Sequence, residues 1–294
     1  MLVGCNNSEG DEFVNNFSKE DIPKNSSHLP IIDDPLIDLS AEEFEKAYAK
    51  LPDDYHIKIN NWGELAGMFE ELENETITKK EAERVASFGS YWGPQEPLAI
   101  SLKGLRFFRN IDSISLEYSS IKDISELGNL KKLNKIDINS SDIIMNNSTE
   151  ELRSLIDIQG RYDNGTYYIS LADCNIADVD FLNGISDLSD LSLWLDKNDI
   201  SSVEPLSHLQ EVNEFSLSGN NIEDISPLSN LKKVKYISLS NNPIRDISYL
   251  KNVEIVESED IVYKDRPSIR IIGLDIDEEE IIDIFGEKSK YVYH

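Results

Sequence analysis

From Leu193 onward, apolar and polar positions recur at a fixed spacing. Leu193, Leu195, Asn198, Ile200 and Val203 are matched 22 residues later by Phe215, Leu217, Asn220, Ile222 and Ile225. A second step of 22 carries the pattern to Ile237, Leu239, Asn242 and Ile244. Phe215 and Leu217 alternate as the inward side chains of a strand must. Asn220 follows where the chain has to turn, and its amide can satisfy backbone groups that a tight turn leaves open. Ile222, Ile225, Leu228, Leu231 and Val234 then come at three-residue steps, which suits a 3₁₀-like return path with one apolar edge. No single unit can bury that edge. Stacked units bury it together, giving a parallel sheet and a continuous core.

A period in the twenties with L-x-L-x-x-N-x-I is the leucine-rich-repeat pattern. The fold class predicted is α/β: a leucine-rich-repeat solenoid with a curved parallel sheet, a 3₁₀ or irregular return face, a helical N-terminal cap and a small C-terminal cap. Repeats are expected over 98–256. Leu102, Leu105, Phe108 and Ile111 form half a unit, and full strands follow at Ile114–Leu116 and Ile136–Ile138, with Ser119 and Ser141 at the Asn position. The step from Ile143 to Ile176 is 33, so an insertion is placed at 144–166. Ser148-Thr149-Glu150-Glu151 caps a helix there with Leu152, Leu155 and Ile156 inward, and Asp163-Asn164-Gly165 turns into a strand at Tyr167–Leu171. Cys174 occupies an Asn position and reads as buried and structural. The step from Ile176 to Ile200 is 24, a unit lengthened by two residues.

Outside the repeats the pattern changes. Residues 1–39 lack periodicity and read as a flexible tether. Residues 40–97 contain three capping boxes, at Ser40–Glu43, Asn61–Glu64 and Thr78–Glu81, and so predict three helices forming an N-terminal cap. Leu65, Met68, Phe69 and Leu72 line the second; Ala82, Val85 and Phe88 line the third. Trp62 and Trp92 are assigned to the cap's core. Residues 257–294 are taken as the C-terminal cap, with a strand at Ile269–Ile272 and a helix from Asp277 to Phe285 stopped by Gly286.

Composition narrows the function. The chain has 294 residues and a formal net charge of −28, so it should repel nucleic acid and anionic lipid and favour basic partners. The two cysteines, Cys5 and Cys174, make no disulfide framework. The four histidines are scattered, and no H-E-x-x-H, G-x-S-x-G or phosphate loop occurs. Asp275-Ile276-Asp277 lacks the spacing of a calcium loop and reads as helix capping. No enzyme activity, cofactor or metal is expected. Leu2-Val3-Gly4-Cys5 resembles the lipobox of bacterial lipoproteins, in which the cysteine is lipidated, and a polar run follows it. Only four residues precede Cys5, fewer than a signal peptide's basic and apolar regions need.

The strings Ile121-Lys122-Asp123-Ile124-Ser125, Ile222-Glu223-Asp224-Ile225-Ser226 and Ile244-Arg245-Asp246-Ile247-Ser248, with Pro205-Leu206 and Pro227-Leu228, resemble the internalin type of bacterial leucine-rich repeat. The resemblance covers about 98–256. It implies a secreted or surface-attached protein of a Gram-positive bacterium that binds another protein on its concave face. The chain has no LPxTG signal and no room for the immunoglobulin-like domain that often follows such repeats, so attachment falls to a lipid on Cys5. If the lipobox is accidental, the protein is secreted or cytoplasmic instead.

On the concave face the outward strand positions are mostly small. Trp194 stands out, with Tyr168 and Tyr236 nearby and Asp137, Asp196, Glu117 and Glu214 around it. Exposed aromatics among acids form a candidate protein-binding patch. The other reading is that Trp194 folds over its lengthened unit and packs locally. Asp123, Asp178, Asp224 and Asp246 recur at one repeat position, which signals a turn role. The expected function is a non-enzymatic, monomeric module binding a protein or peptide on that face. The alternative is an acidic inhibitor or immunity-type protein that neutralises a basic enzyme or toxin.

Overall fold

The computed structural model describes residues 31–61, 76–90, 98–100, 102–116, 119–121, 124–140, 142–143, 149–156, 167–256 and 268–294. Cys5, Trp62, Trp92, Glu117, Asp123, Ser141, Ser148 and the turn at 163–165 lie outside them. The chain divides into two compact units, Met1–Ala82 and Glu83–His294.

The described part of the first unit is not purely helical. Strands β1 (Ile31–Ile32), β2 (His56–Asn61) and β3 (Thr76–Thr78) form an antiparallel sheet in the order β1-β2-β3. Asn61 ends β2, in which Ile57 and Ile59, both fully buried, alternate with exposed His56 and Lys58; the helix expected after it lies outside the described residues. The other two capping boxes form. Ser40 and Glu43 cap helix α1 (Ala41–Tyr48), which buries Phe44 and Tyr48. Thr78 and Glu81 exchange backbone and side-chain bonds at the head of α2 (Lys79–Ala82). That helix is a single turn. Phe88, expected on its face, lies in strand β4 (Ser87–Ser90), so the parallel sheet starts at Ser87 rather than near Leu98. The Tyr55 hydroxyl donates to Asp34 Oδ2 at 2.9 Å; burial and that carboxylate push its pKa up to about 12.

The second unit is the repeat array. Its main sheet contains β4, β6 (Ser113–Leu116), β8 (Lys135–Asp137), β10 (Tyr167–Ser170), β11 (Asp187–Trp194), β12 (Glu211–Ser216) and β13 (Lys233–Ser238), all parallel. Short β14 (Glu254–Ile255) pairs with the start of β13. The sheet does not end near Val256: β15 (Ile269–Arg270) pairs with β13, and β16 (Val292–Tyr293) pairs with β15. Helix α4 (Glu278–Phe285) lies between them in sequence, capped by Asp277 and ended at Gly286 as expected. The insertion forms helix α3 (Thr149–Ile156) with Leu152, Leu155 and Ile156 buried. The inward residues Ile114, Ile136, Ile169, Leu193, Phe215, Ile237 and Ile269 stack in register through the core.

The turns are held in two ways. In the later units the Asn side chain bridges neighbours. Asn220 Oδ1 accepts from Ile200 N at 3.1 Å, while Nδ2 donates to Leu195 O at 3.0 Å and Leu217 O at 2.8 Å. Asn198 and Asn242 repeat the arrangement. Cys174 takes part through its thiol, which donates to Ile138 O at 2.9 Å. In the early units serine, a shorter side chain, stands at this position. There the backbones pair directly, as strands β5 (Leu98–Ile100), β7 (Ser119–Ile121) and β9 (Asp142–Ile143) of a second parallel sheet. The residue before each Asn position is left-handed: Ser140, Asp173, Lys197, Gly219, Asn241 and Gly273 have φ between 53° and 76°. Each non-glycine among them holds a conformation disfavoured for L-residues, which the stacked turns impose. Asp178, Asp224 and Asp246 accept from the backbone N–H two residues on, at 2.7–3.1 Å, the turn role expected of them.

Candidate functional site

The sheet register sorts the outward residues into rows. One row reads Gly89, Ser115, Asp137, Ser170, Trp194, Ser216, Ser238, Arg270 and Tyr293. The row before it reads Ser87, Ser113, Lys135, Tyr168, Ser192, Glu214 and Tyr236. Asp196 lies two residues beyond Trp194, beside Asn139, Ala172 and Ser218.

Tyr168 and Tyr236 do not flank Trp194 equally. Tyr168 belongs to the adjacent strand, whereas Tyr236 is two strands away. The Trp194 and Tyr236 rings nonetheless meet, with centroids 5.8 Å apart and planes tilted by 31°. Two strand spacings are about 9.6 Å, so the rings lean toward each other across β12. Only a small residue permits that, and the one in the row is Ser216, buried to 1% exposure. Tyr236 is itself buried, at 3%. It serves as a wall supporting Trp194 and is not an exposed contact. Trp194 is half-buried: it packs locally and still keeps exposed surface.

The two residues that lengthen this repeat also have a location. Leu188 pairs with Val212 and Ser192 with Glu214, so three residues of β11 face one of β12. This bulge sits just before Trp194 on the same strand. Ser189 N donates to Asp187 Oδ1 at 2.8 Å and fixes its start.

The Tyr168 phenol is raised by its burial together with three acids. Burial first, then the charges of Asp137, Asp196 and Glu214, push its phenol up, against a hydrogen bond with Ser170 that pulls the other way. The phenol therefore stays a neutral donor and acceptor throughout the physiological range. Asp196 Oδ1 accepts from Ser216 Oγ at 2.5 Å, and Glu214 Oε2 from Ser192 Oγ at 2.8 Å. Those bonds orient both carboxylates on the face. Burial raises the Asp137 carboxyl, opposed by the Asn139 backbone N–H and by Lys135. Its buried Oδ1 has no hydrogen-bond partner among the described residues. Lys135 Nζ sits 5.9 Å from the Tyr168 ring centroid.

Asp137 therefore costs stability in its charged form. A carboxyl whose pKa is raised by folding destabilises the fold fully above that raised value, and the penalty vanishes below the unfolded value. Asp137→Asn should raise the melting temperature at pH 7, and the gain should fade as pH falls to about 3. Thermal melts at the two pH values check this; a lower melting temperature at pH 7 would mean that Lys135 and the Asn139 N–H outweigh burial.

The site thus gathers Trp194, Tyr168, Asp137, Asp196 and Glu214 on strands β8 to β12, backed by Tyr236. Glu117 lies outside the described residues. Lys135, Arg270 and Tyr293 belong to the same rows and were not singled out by sequence. Arg270 lies 5.7 Å from the Tyr293 ring centroid. The signal for Arg270 and Tyr293 was weak: β15 and β16 are two residues each, and their spacing departs from 22.

Residues 210–252 match the family model for leucine-rich repeats, in two copies. Among solved structures, an internalin C2 from Listeria monocytogenes is similar at 20% identity, with a TM-score of 0.51, over 92% of this chain and 97% of that one. The fold is the internalin leucine-rich-repeat fold. A second Listeria monocytogenes internalin, InlF, is 22% identical over 73% of this chain and 69% of that one, with a TM-score of 0.46. No curated protein matches the chain. The matched repeats include Glu214 and Tyr236 and begin after Trp194.

Among the described residues no helix is long and apolar enough to cross a membrane. Nor does any group of three or more His, Cys, Asp or Glu among them lie close enough to hold a metal ion.

Proposed function

We propose that the protein is a non-enzymatic, monomeric binding module, exported and held at the outer face of the cell membrane by a lipid on Cys5. Its ligand is a protein or peptide seated on the concave sheet face around Trp194. The observation that carries this reading is the Trp194–Tyr236 pair: a partly exposed indole supported by a buried ring, with the oriented carboxylates of Asp196 and Glu214 on the same face. A supported aromatic presents a large contact area at little entropic cost, the property of binding hot spots. In this reading 40–97 is the N-terminal cap and 257–294 the C-terminal one.

The test is a pulldown with the full chain immobilised, wild type against Trp194→Ala, at low and physiological salt. A specific partner should survive physiological salt and be lost with Trp194→Ala, a loss of about 2 kcal/mol or more. The net charge of −28 favours one other reading, an acidic inhibitor of a basic enzyme or toxin. A basic partner that salt removes and Trp194→Ala leaves alone would establish that reading and sink the concave-face one. Lipidation is checked separately, by labelling the expressed protein with a fatty-acid analogue and repeating with Cys5→Ser.

A further inference from the structure

We infer that Arg270, resting against Tyr293 at the C-terminal end of the sheet, is the anchor for an aspartate or glutamate side chain of the protein partner. This rests on the concave-face reading and names the chemistry of one residue that the partner brings.

Arg270 and Tyr293 face outward because their neighbours face in. Ile269 and Val292 pair with each other and are buried, so the next residue on each strand turns to the concave face, in register. The guanidinium carbon lies 5.7 Å from the Tyr293 ring centroid, a cation–ring contact that steadies the fork. Tyr293 is 53% exposed, so the pair stands at the surface.

The charge around Arg270 carries the argument. The chain has 56 acidic residues against 28 basic ones, two carboxylates for each cation. Other arginines use acceptors inside the protein: Arg106 the carboxylate of Glu126, Arg153 the carbonyls of Phe181 and Asn183. On the concave face Lys135 acts on the Asp137 carboxyl. Arg270 forms no ion pair among the described residues, and its Nε is buried without a hydrogen-bond partner among them. A half-buried guanidinium has given up part of its hydration, and no acceptor in the chain compensates. The Nη groups are not shut off in this way and form the open end of the fork. One carboxylate bridges them with two parallel bonds, and a fork already held by a ring loses little freedom on binding.

The face also sets a distance. Between Arg270 and Trp194 the outward residues of the row are Ser238 and Ser216, both small. Three strand spacings separate the two ends, about 14 Å. An extended chain rises about 3.3 Å per residue, so a partner segment crossing the strands carries its acid about four residues from the group on Trp194.

The net charge of −28 repels acidic peptides, so an acid that the protein selects needs a local cause. The probe is a random-peptide library displayed on phage and panned against the immobilised full chain at physiological salt. Selected peptides are synthesised, and calorimetry gives their affinities for wild type, Arg270→Gln, Arg270→Lys, Trp194→Ala and Arg245→Gln, the last an exposed cation outside the strands. The peptides should carry an Asp or Glu about four residues from an apolar or aromatic residue. Arg270→Gln should weaken them at least about tenfold, Arg270→Lys about threefold through loss of the fork, and Arg245→Gln less than about twofold. Replacing the peptide's acid by its amide should cost wild type the same factor as Arg270→Gln and cost the Arg270→Gln protein nothing, the coupling that a direct contact requires.

A selection that yields no peptide with such an acid overturns the proposal. So does an acid whose replacement costs the Arg270→Gln protein as much as wild type, or equal weakening by Arg270→Gln and Arg245→Gln, which would report the diffuse field. The broader reading fails on a different result, peptides indifferent to Trp194→Ala. Peptides that need Trp194 but neither Arg270 nor their own acid overturn the anchor and leave the concave-face reading standing.

Discussion

Asn220→Ala should lower the unfolding free energy by about 3–4 kcal/mol. The side chain makes three bonds to buried backbone, to Ile200 N, Leu195 O and Leu217 O. The carbonyls keep a partner each, because Asn198 also donates to Leu195 O and Asn242 to Leu217 O. Ile200 N has no such substitute, so truncation buries an unsatisfied donor as well as removing three bonds. Asn220→Asp is the sharper test. It keeps an acceptor for Ile200 N and turns a second oxygen toward two carbonyls. It should cost at least as much as alanine at pH 7, and less in acid, where a protonated carboxyl can donate one bond. Urea unfolding of the three proteins at neutral and acidic pH checks both statements. A harmless Asn220→Asp would show that only the acceptor matters. In the early units the direct backbone pairing of β5, β7 and β9 stands where this side chain does its work.

The second large effect is expected at Glu126→Ala, about 3–5 kcal/mol of destabilisation. Arg106 and Glu126 stand on the return path of adjacent units, and their side chains are only 11% and 8% exposed. Arg106 Nε donates to Glu126 Oε2 at 2.9 Å, and Nη2 to Oε1, so the pair is a two-pronged fork. Removing the carboxylate leaves a guanidinium with most of its water stripped away. Replacing both residues with leucine removes the charge and its desolvation cost together. The Arg106→Leu/Glu126→Leu protein should therefore be close to wild type in stability, within about 1 kcal/mol. A double variant as unstable as Glu126→Ala would show that the loss comes from packing and not from a stranded charge. Both experiments leave the concave face untouched, so binding measured on the folded fraction should not change.

The Asn ladder lies beneath the proposed binding face. Stacked turns hold β11 to β13 in register, and that register lets Trp194 reach Tyr236 across Ser216. In the proposed reading, loss of Asn220 should weaken a partner's binding through the population of folded protein, whereas Trp194→Ala should remove the contact surface itself. Comparing binding with unfolding in the same samples separates the two.

Much of the array was legible because its physics is local. A strand two apolar residues wide, an amide at the turn and apolar steps of three follow directly from side-chain direction and hydrogen-bond supply. Ser40–Glu43, α3, Asp277 and Gly286 were legible for the same reason: a cap is satisfied within a few residues. The errors arose where local signals compete. Phe88 fits both a helix face and a strand, and pairing with β6 decides for the strand. β15 and β16 are too short to carry a period, and only the open edge of β13 gives them something to pair with.

The concave residues divide along the same line. Alternation along a strand sets the face, and that was enough to place Trp194, Tyr168, Asp137, Asp196 and Glu214 on outward positions. It could not decide how far across the sheet they reach. That depends on register between strands and on the size of the residue between two rings. Packing put Tyr236 two strands away and still in contact, buried it as a support and set the bulge of β11 beside Trp194. Facing follows from a residue's own neighbours in the chain; contact follows from distances between segments far apart in it, which only the assembled fold fixes.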